Sequence, residues 1–522
     1  MGIMTSELPK SILAELDEAA ADVGDAAFLV LDDVDVSYRD VRAVVERFAT
    51  NLLDAGIVAG DRVLVFLPNG LAAVCGWLGT QRIGAIDVPV AVESAGASLA
   101  HVVSEVAPRA VLTTDDLLER LLAAAPAESV ELIIVDGSIE DSADRRIVRF
   151  EDMISLEGDP QLPEIPDLST TATVMFSSGS TGPPKGVMHA HGYYAQTTRA
   201  YDEIYQLPDR PTFYCAQPLC HIDPRIIVLD TLRRRGKLVL KRRFSASGYW
   251  ADVEHHDADV FIFIGAMLHL IFKQTPSAAP SRRRLGLGSA IPADIHAAFS
   301  ERFEVELIEG YGMTELYSMT CQRPGERRPG NVGSELPTVE LRVVDGDDQP
   351  VPDGTTGQLI ARPRLPFAHM QGYWGRPEAT VEAWQGLWFH TGDLMRRLED
   401  GTFQYVGRLK DSIRRRGENV SAWEVERAAL KHPDVLEAAA IGVPAAVGDE
   451  DVALFVVPRA DTTIDPGELR DLMAEDLPRY ALPRFVELTT DLPKTPSERV
   501  AKAVLRERGL SDRVSDLAPE RR

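Results

Sequence analysis

Hydrophobic and polar positions follow two alternating patterns along the first half of the chain. Residues 41–55 carry apolar side chains at helical spacing, whereas residues 63–67 form an unbroken apolar run that ends at Pro68. A short apolar run bounded by turn residues is typical of a buried strand, and its alternation with helices predicts a sheet covered by helices. Similar runs predict strands at 110–112, 131–135, 173–176, 237–240 and 260–263.

The pattern changes twice further along. Between residues 330 and 406 the helical periodicity fades, and short strand-like runs, such as 340–344 and 357–361, alternate with Gly/Pro turns. This composition predicts a small β-rich subdomain. After residue 407, helix, strand and helix signals continue to about residue 506, and we expect the charged tail beyond Leu510 to fray.

Composition and charge narrow the class of partner. The chain has 522 residues, 45% of them hydrophobic, and 80 acidic against 55 basic residues give a net charge of -25. This length predicts more than one cooperative unit. Because the negative balance repels nucleic-acid phosphates and anionic lipid, a polyanion must be held by a local device, and we expect small-molecule partners rather than nucleic acid.

Cysteine usage and hydropathy favour the cytoplasm. The four cysteines show no C-x-x-C spacing, so neither a disulfide framework nor a zinc finger is predicted. The longest apolar stretches, such as 260–272, fall well short of the roughly 20 residues of a membrane span. We therefore predict a cytoplasmic protein without a membrane span.

The sharpest chemical feature is a glycine- and hydroxyl-rich loop at 176–186, directly after the strand predicted at 173–176. Small residues let backbone N–H groups face an anion, hydroxyls add donors and a lysine adds a point charge, so the loop is suited to polyphosphate. Its spacing is not that of a Walker loop. The alternative is a flexible surface turn. The candidate phosphate ligands are Ser177, Ser178, Gly179, Ser180, Thr181, Gly182 and Lys185.

Four more motifs follow in the chain. They are Pro218-Leu219-Cys220-His221, Tyr311-Gly312-Met313-Thr314-Glu315, Thr391-Gly392-Asp393, and Gly407-Arg408-Leu409-Lys410-Asp411 continuing into 416–420. With the loop, and in this order, they resemble the AMP-forming acyl-CoA synthetases of the adenylate-forming superfamily, to which luciferases and peptide-synthetase adenylation domains also belong. The resemblance covers about residues 38 to 506.

The resemblance implies a domain plan. A large N-terminal domain of mixed sheets flanked by helices, including the β-rich subdomain, is expected over 1–406, followed by a hinge at 407–411 and a small mobile α+β domain at 412–522. The fold class is therefore α/β. In this plan Lys410 is the pivot about which the small domain turns between the two halves of the reaction.

The resemblance also implies the reaction and its cofactors, which are ATP, Mg²⁺ and CoA. A carboxylate attacks the α-phosphorus of ATP to give an acyl-AMP, and the CoA thiol then displaces AMP. Glu315 is the expected Mg²⁺ ligand and Thr314 a donor to the α-phosphate. Asp393 is expected to accept the ribose hydroxyls beside Arg408, and His221 to separate the acyl pocket from the thiol tunnel.

Further nucleotide-binding and acyl-pocket residues follow from the same resemblance. They are Gly288, Ser289, Ala290, Tyr311, Gly312 and Gly417. Taken alone, each of these motifs has an ordinary structural interpretation, such as a turn at 391–393 or a helix start at Thr314.

Arg499 breaks the family pattern. The terminal motif usually ends in a lysine that reaches the α-phosphate during adenylation, and arginine replaces that compact ammonium with a bulky planar fork. Losing one well-aimed donor can cost roughly 10²- to 10³-fold in rate. Lys502 lies three residues after Arg499, but nothing in the sequence indicates that it takes the role of the usual lysine. Three alternatives therefore stay open. The protein catalyses both half-reactions, or it catalyses only the thioesterification of a preformed acyl-adenylate, or it binds a nucleotide or acyl-adenylate without catalysis.

Two other points stay open in the sequence. Proline occupies position 224, where the family often has glycine three residues after the gate. Asp223 beside it is expected to face the surface or cap a helix, and the alternative is that it meets a polar group on the substrate. The acceptor could be a separate carrier protein instead of CoA, with a separate adenylating enzyme as another possible partner, and a luciferase-like oxygenase shares the same motifs. Neither the identity of the acid nor the oligomeric state can be predicted.

Overall fold

The computed structural model describes most of the chain. The described residues are 9–125, 130–139, 146–155, 161–177, 184–199, 201, 204–205, 207–275, 279–323, 327–328, 330–415, 418–445, 450–494 and 500–517. Among them, no helix is both long and apolar enough to cross a bilayer.

Helices and strands alternate through most of the chain. The helices are α1 (Ile12–Val23), α2 (Tyr38–Asp54), α3 (Leu71–Arg82), α4 (Gly96–Val106), α5 (Asp115–Ala124), α6 (Phe150–Met153), α7 (Gly192–Arg199), α8 (Ile222–Arg234), α9 (Tyr249–His255), α10 (Gly265–Phe272), α11 (His296–Arg302), α12 (Pro377–Ala383), α13 (Ala422–Ala429), α14 (Pro466–Met473) and α15 (Lys502–Arg508).

The strands are β1 (Ala27–Leu31), β2 (Val34–Ser37), β3 (Arg62–Phe66), β4 (Ile86–Pro89), β5 (Ala110–Thr114), β6 (Leu132–Asp136), β7 (Ile147–Arg149), β8 (Thr171–Ser177), β9 (Lys185–Ala190), β10 (Thr212–Cys215), β11 (Lys237–Leu240), β12 (Val260–Ile264), β13 (Arg284–Ser289), β14 (Val305–Tyr311), β15 (Thr320–Cys321), β16 (Asn331–Glu335), β17 (Val339–Val344), β18 (Thr356–Pro363), β19 (Gly372–Tyr373), β20 (Trp384–Gln385), β21 (Trp388–Arg397), β22 (Thr402–Arg408), β23 (Ser412–Arg415), β24 (Glu418–Ser421), β25 (Val435–Pro444), β26 (Glu450–Pro458), β27 (Phe485–Leu488) and β28 (Ser515–Asp516).

The chain divides into two compact units. The large unit comprises Met1–Gly179, Pro183–Glu340 and Arg362–Gln385, and the small unit is formed mainly by Leu341–Ala361 and Gly386–Arg522.

One sheet of the large unit has the strand order β16-β15-β14-β13-β12-β10-β11-β1-β2. Its strands from β1 to β14 along this order are parallel. The apolar run Val260–Ile264 forms β12 near the middle of this sheet, where Phe261 and Phe263 are fully buried with Trp250 and Phe299 from the covering helices. Burial on both faces explains why this strand is a continuous apolar run.

A second sheet of the large unit has the order β19-β9-β8-β4-β3-β5-β6-β7. Its pairs are parallel except at one end, where β8 runs antiparallel to β9 and β9 to β19. The β8–β9 hairpin pairs Ser177 with Lys185. Both ends of the predicted phosphate loop are therefore fixed on neighbouring strands.

The small unit contains three sets of paired strands, in the orders β17-β18-β21-β22, β23-β24 and β25-β26-β27-β28. Helix α13 begins after Ser421, whose hydroxyl accepts the N–H of Glu424, and α14 begins after Asp465, which caps in the same way. The apolar faces of these helices bury Val425 and Leu469 against Leu454.

The structure confirms the predicted mixed α/β class and most of the predicted elements. The strand predicted at 237–240 has those bounds, and β17 and β18 lie in the predicted β-rich segment. The expectation of a fraying tail beyond Leu510 is wrong for part of it, because β28 pairs with β27 and the N–H of Leu517 donates to the Arg484 carbonyl.

Candidate active site

The β8–β9 hairpin, which carries the predicted phosphate loop and is called the phosphate hairpin below, places a cation beside an aromatic ring. Lys185 begins β9, and its Nζ lies 4.8 Å from the centroid of the Tyr373 ring, a cation–π distance. Ser177, at the other end of the loop, donates its hydroxyl to the Lys185 carbonyl at 3.4 Å. The remaining candidates of the loop, Ser178 to Gly182, lie outside the described residues.

Glu315 is held by the same tyrosine. Its side chain is only 7% exposed, and the Tyr373 hydroxyl donates to its Oε1 at 2.9 Å. Burial and this carboxylate raise the pKa of Tyr373, so the phenol stays protonated and can donate. Tyr373 thus joins Lys185 to Glu315, although sequence reasoning missed it, because its position depends on the pairing of β19 with β9.

The loop that carries Thr314 is anchored through its backbone. The Thr314 carbonyl accepts hydrogen bonds from the Tyr193 hydroxyl at 2.9 Å and from His189 Nε2 at 2.8 Å. Burial lowers the pKa of His189 to about 3, so the neutral ring carries its proton on Nε2. The N–H of Tyr317 in turn donates to the Tyr193 hydroxyl at 2.8 Å. The Thr314 hydroxyl makes no hydrogen bond within the described residues.

This segment is a tight connection between β14 and β15. Tyr311 is the last residue of β14 and pairs with Thr320, and a side chain at Gly312 would meet the backbone of Ser318 at 2.4 Å. Four predicted site residues, Tyr311, Gly312, Thr314 and Glu315, therefore share one connection, and no helix begins at Thr314.

Gly288, Ser289 and Ala290 lie at the end of β13. Ala290 has a left-handed φ of 58°, and its carbonyl approaches so close to Gly265 that a Cβ there would lie 1.8 Å from it. Only glycine at position 265 leaves room for this turn.

Glu309, which sequence reasoning missed, supports the same turn. Its Oε1 accepts the N–H of Ile291 at 3.3 Å, and the N–H of Ala290 also donates to the carboxyl group. Glu309 is 6% exposed, and burial raises its pKa to about 7. Within the described residues its Oε2 has no hydrogen-bond partner.

The motif that ends in His221 is held in place by Arg225, which belongs to a buried ion pair. His221 is exposed and immediately precedes α8. Arg225, on the first turns of α8, donates from Nε to the Leu219 carbonyl at 2.7 Å and from Nη1 to Asp87 Oδ2 at 2.6 Å. Its guanidinium also lies 4.3 Å from the Trp77 ring centroid.

Asp87 connects this motif to the strand before the phosphate loop. Its Oδ1 accepts hydrogen bonds from Thr173 on β8 at 2.6 Å and from Gln81 at 2.7 Å. Arg225 and Asp87 are 1% and 0% exposed. Neither was singled out in the sequence, where an Arg and an Asp separated by 138 residues carry no signal of pairing.

The expectation that Asp223 faces the surface or caps a helix is wrong. It lies in the first turn of α8, is partly buried, and accepts a hydrogen bond from the Tyr317 hydroxyl. Burial raises its pKa, while Tyr317 and His221 act in the opposite direction.

In the small unit, Asp393 and Arg408 are cross-strand neighbours on β21 and β22. Arg408 Nε lies 3.2 Å from Asp393 Oδ1, and Asp393 is 3% exposed. The Asp393 N–H donates to the Thr391 hydroxyl at 3.1 Å, which in turn donates to the Leu359 carbonyl. The Thr-Gly-Asp motif is thus a buried, hydrogen-bonded part of a strand.

The segment after β22 carries Lys410. It lies, exposed, in a one-turn 3₁₀ helix at Leu409–Asp411, and Arg506 pairs with Asp411 at 3.0 Å. Gly417 and Arg499 lie outside the described residues. Lys502, three residues after Arg499, forms an ion pair with the partly buried Glu426 at 2.7 Å.

In the large unit, a lysine at the end of the predicted phosphate loop contacts the same tyrosine as a buried glutamate, and the fold of the chain is mixed α/β. This fold and site define an adenylate-forming enzyme. Residues 16–374 match the model of the AMP-binding enzyme family, and residues 424–499 match the AMP-binding enzyme C-terminal domain. The chain belongs to the AMP-binding enzyme family.

Known relatives support the same class. Sulfoacetate–CoA ligase of Cupriavidus necator is 30% identical over 458 residues, which cover 86% of this chain and 88% of that protein. Crotonobetaine/carnitine–CoA ligase of Salmonella paratyphi B is 29% identical, with 94% and 98% covered. The crystal structure of ATP-bound MatB from Rhodopseudomonas palustris superposes with a TM-score of 0.85 at 25% identity, covering 96% of this chain and 99% of that chain. The predicted class, AMP-forming acyl-CoA synthetases, is confirmed.

Proposed function

We propose that this enzyme joins a carboxylic acid to CoA through an acyl-AMP. In the first half, a carboxylate oxygen bonds to the α-phosphorus of ATP and pyrophosphate leaves. In the second half, the CoA sulfur bonds to the acyl carbon, AMP leaves and the thiol proton is released. Two relatives whose names specify ligation of an acid to CoA support this proposal.

The observation that carries the proposal is the contact of one tyrosine with both Lys185 and Glu315. Lys185 brings a positive charge to the end of the phosphate hairpin, where it can bind a phosphate oxygen. Glu315 brings a carboxylate to the other side of Tyr373. A positive and a negative group fixed side by side are suited to a triphosphate with its metal ion, because each binds one partner of that complex.

Glu315 fits a magnesium ligand. Mg²⁺ prefers carboxylate and phosphate oxygens, and Glu315 is a buried carboxylate whose orientation is set by the Tyr373 hydroxyl. When bound, Mg²⁺ would neutralise part of the phosphate charge. The chain itself supplies the orientation of Glu315, the charge of Lys185 and the hydroxyl of Thr314 as a donor to the α-phosphate.

The remaining nucleotide contacts are carried over from the sequence analysis as proposals. Asp393 would accept the ribose hydroxyls, and Gly288, Ser289, Ala290, Tyr311 and Gly312 would line the adenine and acyl pockets. Backbone rotation near Lys410, in the proposed 407–411 hinge, would exchange the surroundings of pyrophosphate for those of the thiol.

Asp223 bears on the acid. It lies two residues after the gate residue His221, and it forms no ion pair with a lysine or arginine among the described side chains. In its ionised form, a partly buried carboxyl group without such a partner repels a second anion and attracts a cation. We therefore propose that the acid has a neutral polar or cationic tail rather than a second anionic group such as a sulfonate.

The first half-reaction depends on position 499. Lys502 is already paired with Glu426, which supports the view that it does not replace the usual terminal lysine. We propose that Arg499 permits adenylation at a reduced rate. The alternative is an enzyme that accepts a preformed acyl-adenylate and performs thioesterification only.

One experiment separates these possibilities. A panel of acids of matched length, with a quaternary ammonium, a hydroxyl or a sulfonate tail, is offered with ATP, Mg²⁺ and CoA, and their synthetic adenylates are offered with CoA alone. We expect thioester from the cationic or neutral acids and from their adenylates. Thioester from adenylates alone would identify a single-half enzyme, and no thioester from any of them would refute the proposed function. Preference for the sulfonate acid would refute only the proposed role of Asp223 and would leave the proposed ligase reaction standing.

A further inference from the structure

Three side chains that commonly bind transition metals meet in the large unit, and none of them belongs to the proposed nucleotide site. Asp33 lies in the turn between β1 and β2, and His255 and His256 end helix α9. One ligand atom from each lies within 4.8 Å of the other two, and His256 Nε2 is 3.1 Å from Asp33 Oδ1.

The backbone on both sides fixes this arrangement. Asp32 and Asp33 have left-handed φ values of 48° and 62°, as in a two-residue hairpin turn, and Leu31 pairs with Val34 across it. After His256, Asp257 adopts a φ of 46° and ends the helix. The carboxylate and the two imidazoles are thus carried by a tight turn and a helix end rather than by a long loop.

His256 provides independent evidence for a missing partner. Its side chain is only 9% exposed, yet Nε2 makes no hydrogen bond within the described part of the chain. A buried polar atom without a partner costs roughly 1–3 kcal/mol, so native proteins usually provide one. Nε2 lies 3.1 Å from Asp33 Oδ1 without the alignment of a hydrogen bond, so a ligand that contacts both atoms would satisfy both groups.

We propose that Asp33, His255 and His256 bind a divalent transition metal of the Zn²⁺ type. Two imidazoles and a carboxylate are a common Zn²⁺ ligand set, and tetrahedral bonds of about 2.0–2.2 Å place ligand atoms about 3.3 Å apart. The observed 3.1 Å between His256 Nε2 and Asp33 Oδ1 is close to that separation. Three protein ligands leave the fourth position to water or a small anion.

The test is a Zn²⁺ titration of the untagged full-length protein after dialysis against a chelator, followed by calorimetry and by the visible spectrum of the Co²⁺ form. We expect one Zn²⁺ per chain and the intense bands of tetrahedral Co²⁺. Asp33→Asn and His255→Ala change exposed side chains, so the fold should persist, and each should weaken Zn²⁺ binding at least about 10-fold.

Two controls locate the signal. His269→Ala removes a partly exposed histidine whose Nε2 lies 3.8 Å from Asp294 Oδ1, and should leave Zn²⁺ binding unchanged. Glu315→Ala should also leave Zn²⁺ binding unchanged, and loss of binding in this variant would place the metal at the nucleotide site and overturn the proposal. Absence of Zn²⁺ uptake, or uptake that survives both Asp33→Asn and His255→Ala, would overturn the proposal.

Discussion

The buried ion pair between Asp87 and Arg225 yields the most quantitative prediction. Asp87→Asn keeps the size of the side chain but removes its charge. The Arg225 guanidinium, 1% exposed, then remains in the interior without its carboxylate. Removing one partner of a buried pair typically costs about 3–5 kcal/mol of unfolding free energy, because the remaining charge cannot be rehydrated.

A matched control is available in the same unit. Asp17 pairs with Arg42 at 2.9 Å, a similar distance to the 2.6 Å of the buried pair, but the two side chains are 36% and 43% exposed. Water screens this pair, so Asp17→Asn should cost less than about 1 kcal/mol. The difference between the two variants isolates the effect of burial.

The assay is urea denaturation followed by tryptophan fluorescence, to which Trp77 contributes beside Arg225. A loss in Asp87→Asn no larger than in Asp17→Asn would refute the reasoning. A third variant, Asp87→Leu combined with Arg225→Met, removes both charges. It should recover part of the lost stability, because the desolvation cost disappears with the pair.

Four further predictions concern the site. Tyr373→Phe removes the hydroxyl bound to Glu315 but keeps the ring beside Lys185, so the Mg²⁺ requirement should rise about 10-fold in Mg²⁺ titrations of activity and of nucleotide binding, and an unchanged requirement would contradict the role of Tyr373. The pKa of Glu309 is raised to about 7 in the folded chain, so its contribution to stability is present in full below its ordinary pKa of about 4.5 and is lost as pH rises through about 7, a change of about 3 kcal/mol. Glu309→Gln should therefore flatten the unfolding free energy between pH 5 and pH 8, whereas an unaltered slope would count against this assignment. Arg499→Lys should raise acid-dependent exchange of pyrophosphate into ATP by about 10-fold or more, and an equal rate would show that position 499 does not limit adenylation. Lys410→Pro should impair one half-reaction more than the other, as measured by pyrophosphate exchange against thioester formation from a synthetic adenylate, and equal retention of both would argue against a pivot there.

The sequence predicted those features that depend on local pattern. The apolar run at 260–263 forms a strand because it is buried on both faces, and the glycine- and serine-rich segment after β8 lies between two hydrogen-bonded strands. The order of the motifs was sufficient to predict the family. Each of these signals lies within a few neighbouring residues, and the family prediction combines several of them in their order along the chain.

The residues that escaped prediction depend on long-range pairing. Tyr373 meets Glu315 only because β19 pairs at the edge of the second sheet. Asp87 and Arg225 are in contact although 138 residues separate them in the chain. The partial burial of Asp223 follows in the same way from its contact with Tyr317. The Asp33 cluster combines a turn with a helix end more than 200 residues later. Neither partner in these contacts has a local pattern that identifies the other.

The pairing of Ser177 with Lys185 has a consequence for nucleotide capture. Ordering any loop costs the entropy of bringing its two chain ends together. Here the hydrogen bonds between β8 and β9 already hold the ends together in the folded protein, before a ligand binds. A phosphate group that binds here therefore does not have to bring these two chain ends together. Association at this hairpin should accordingly be limited by diffusion and desolvation rather than by slow chain closure.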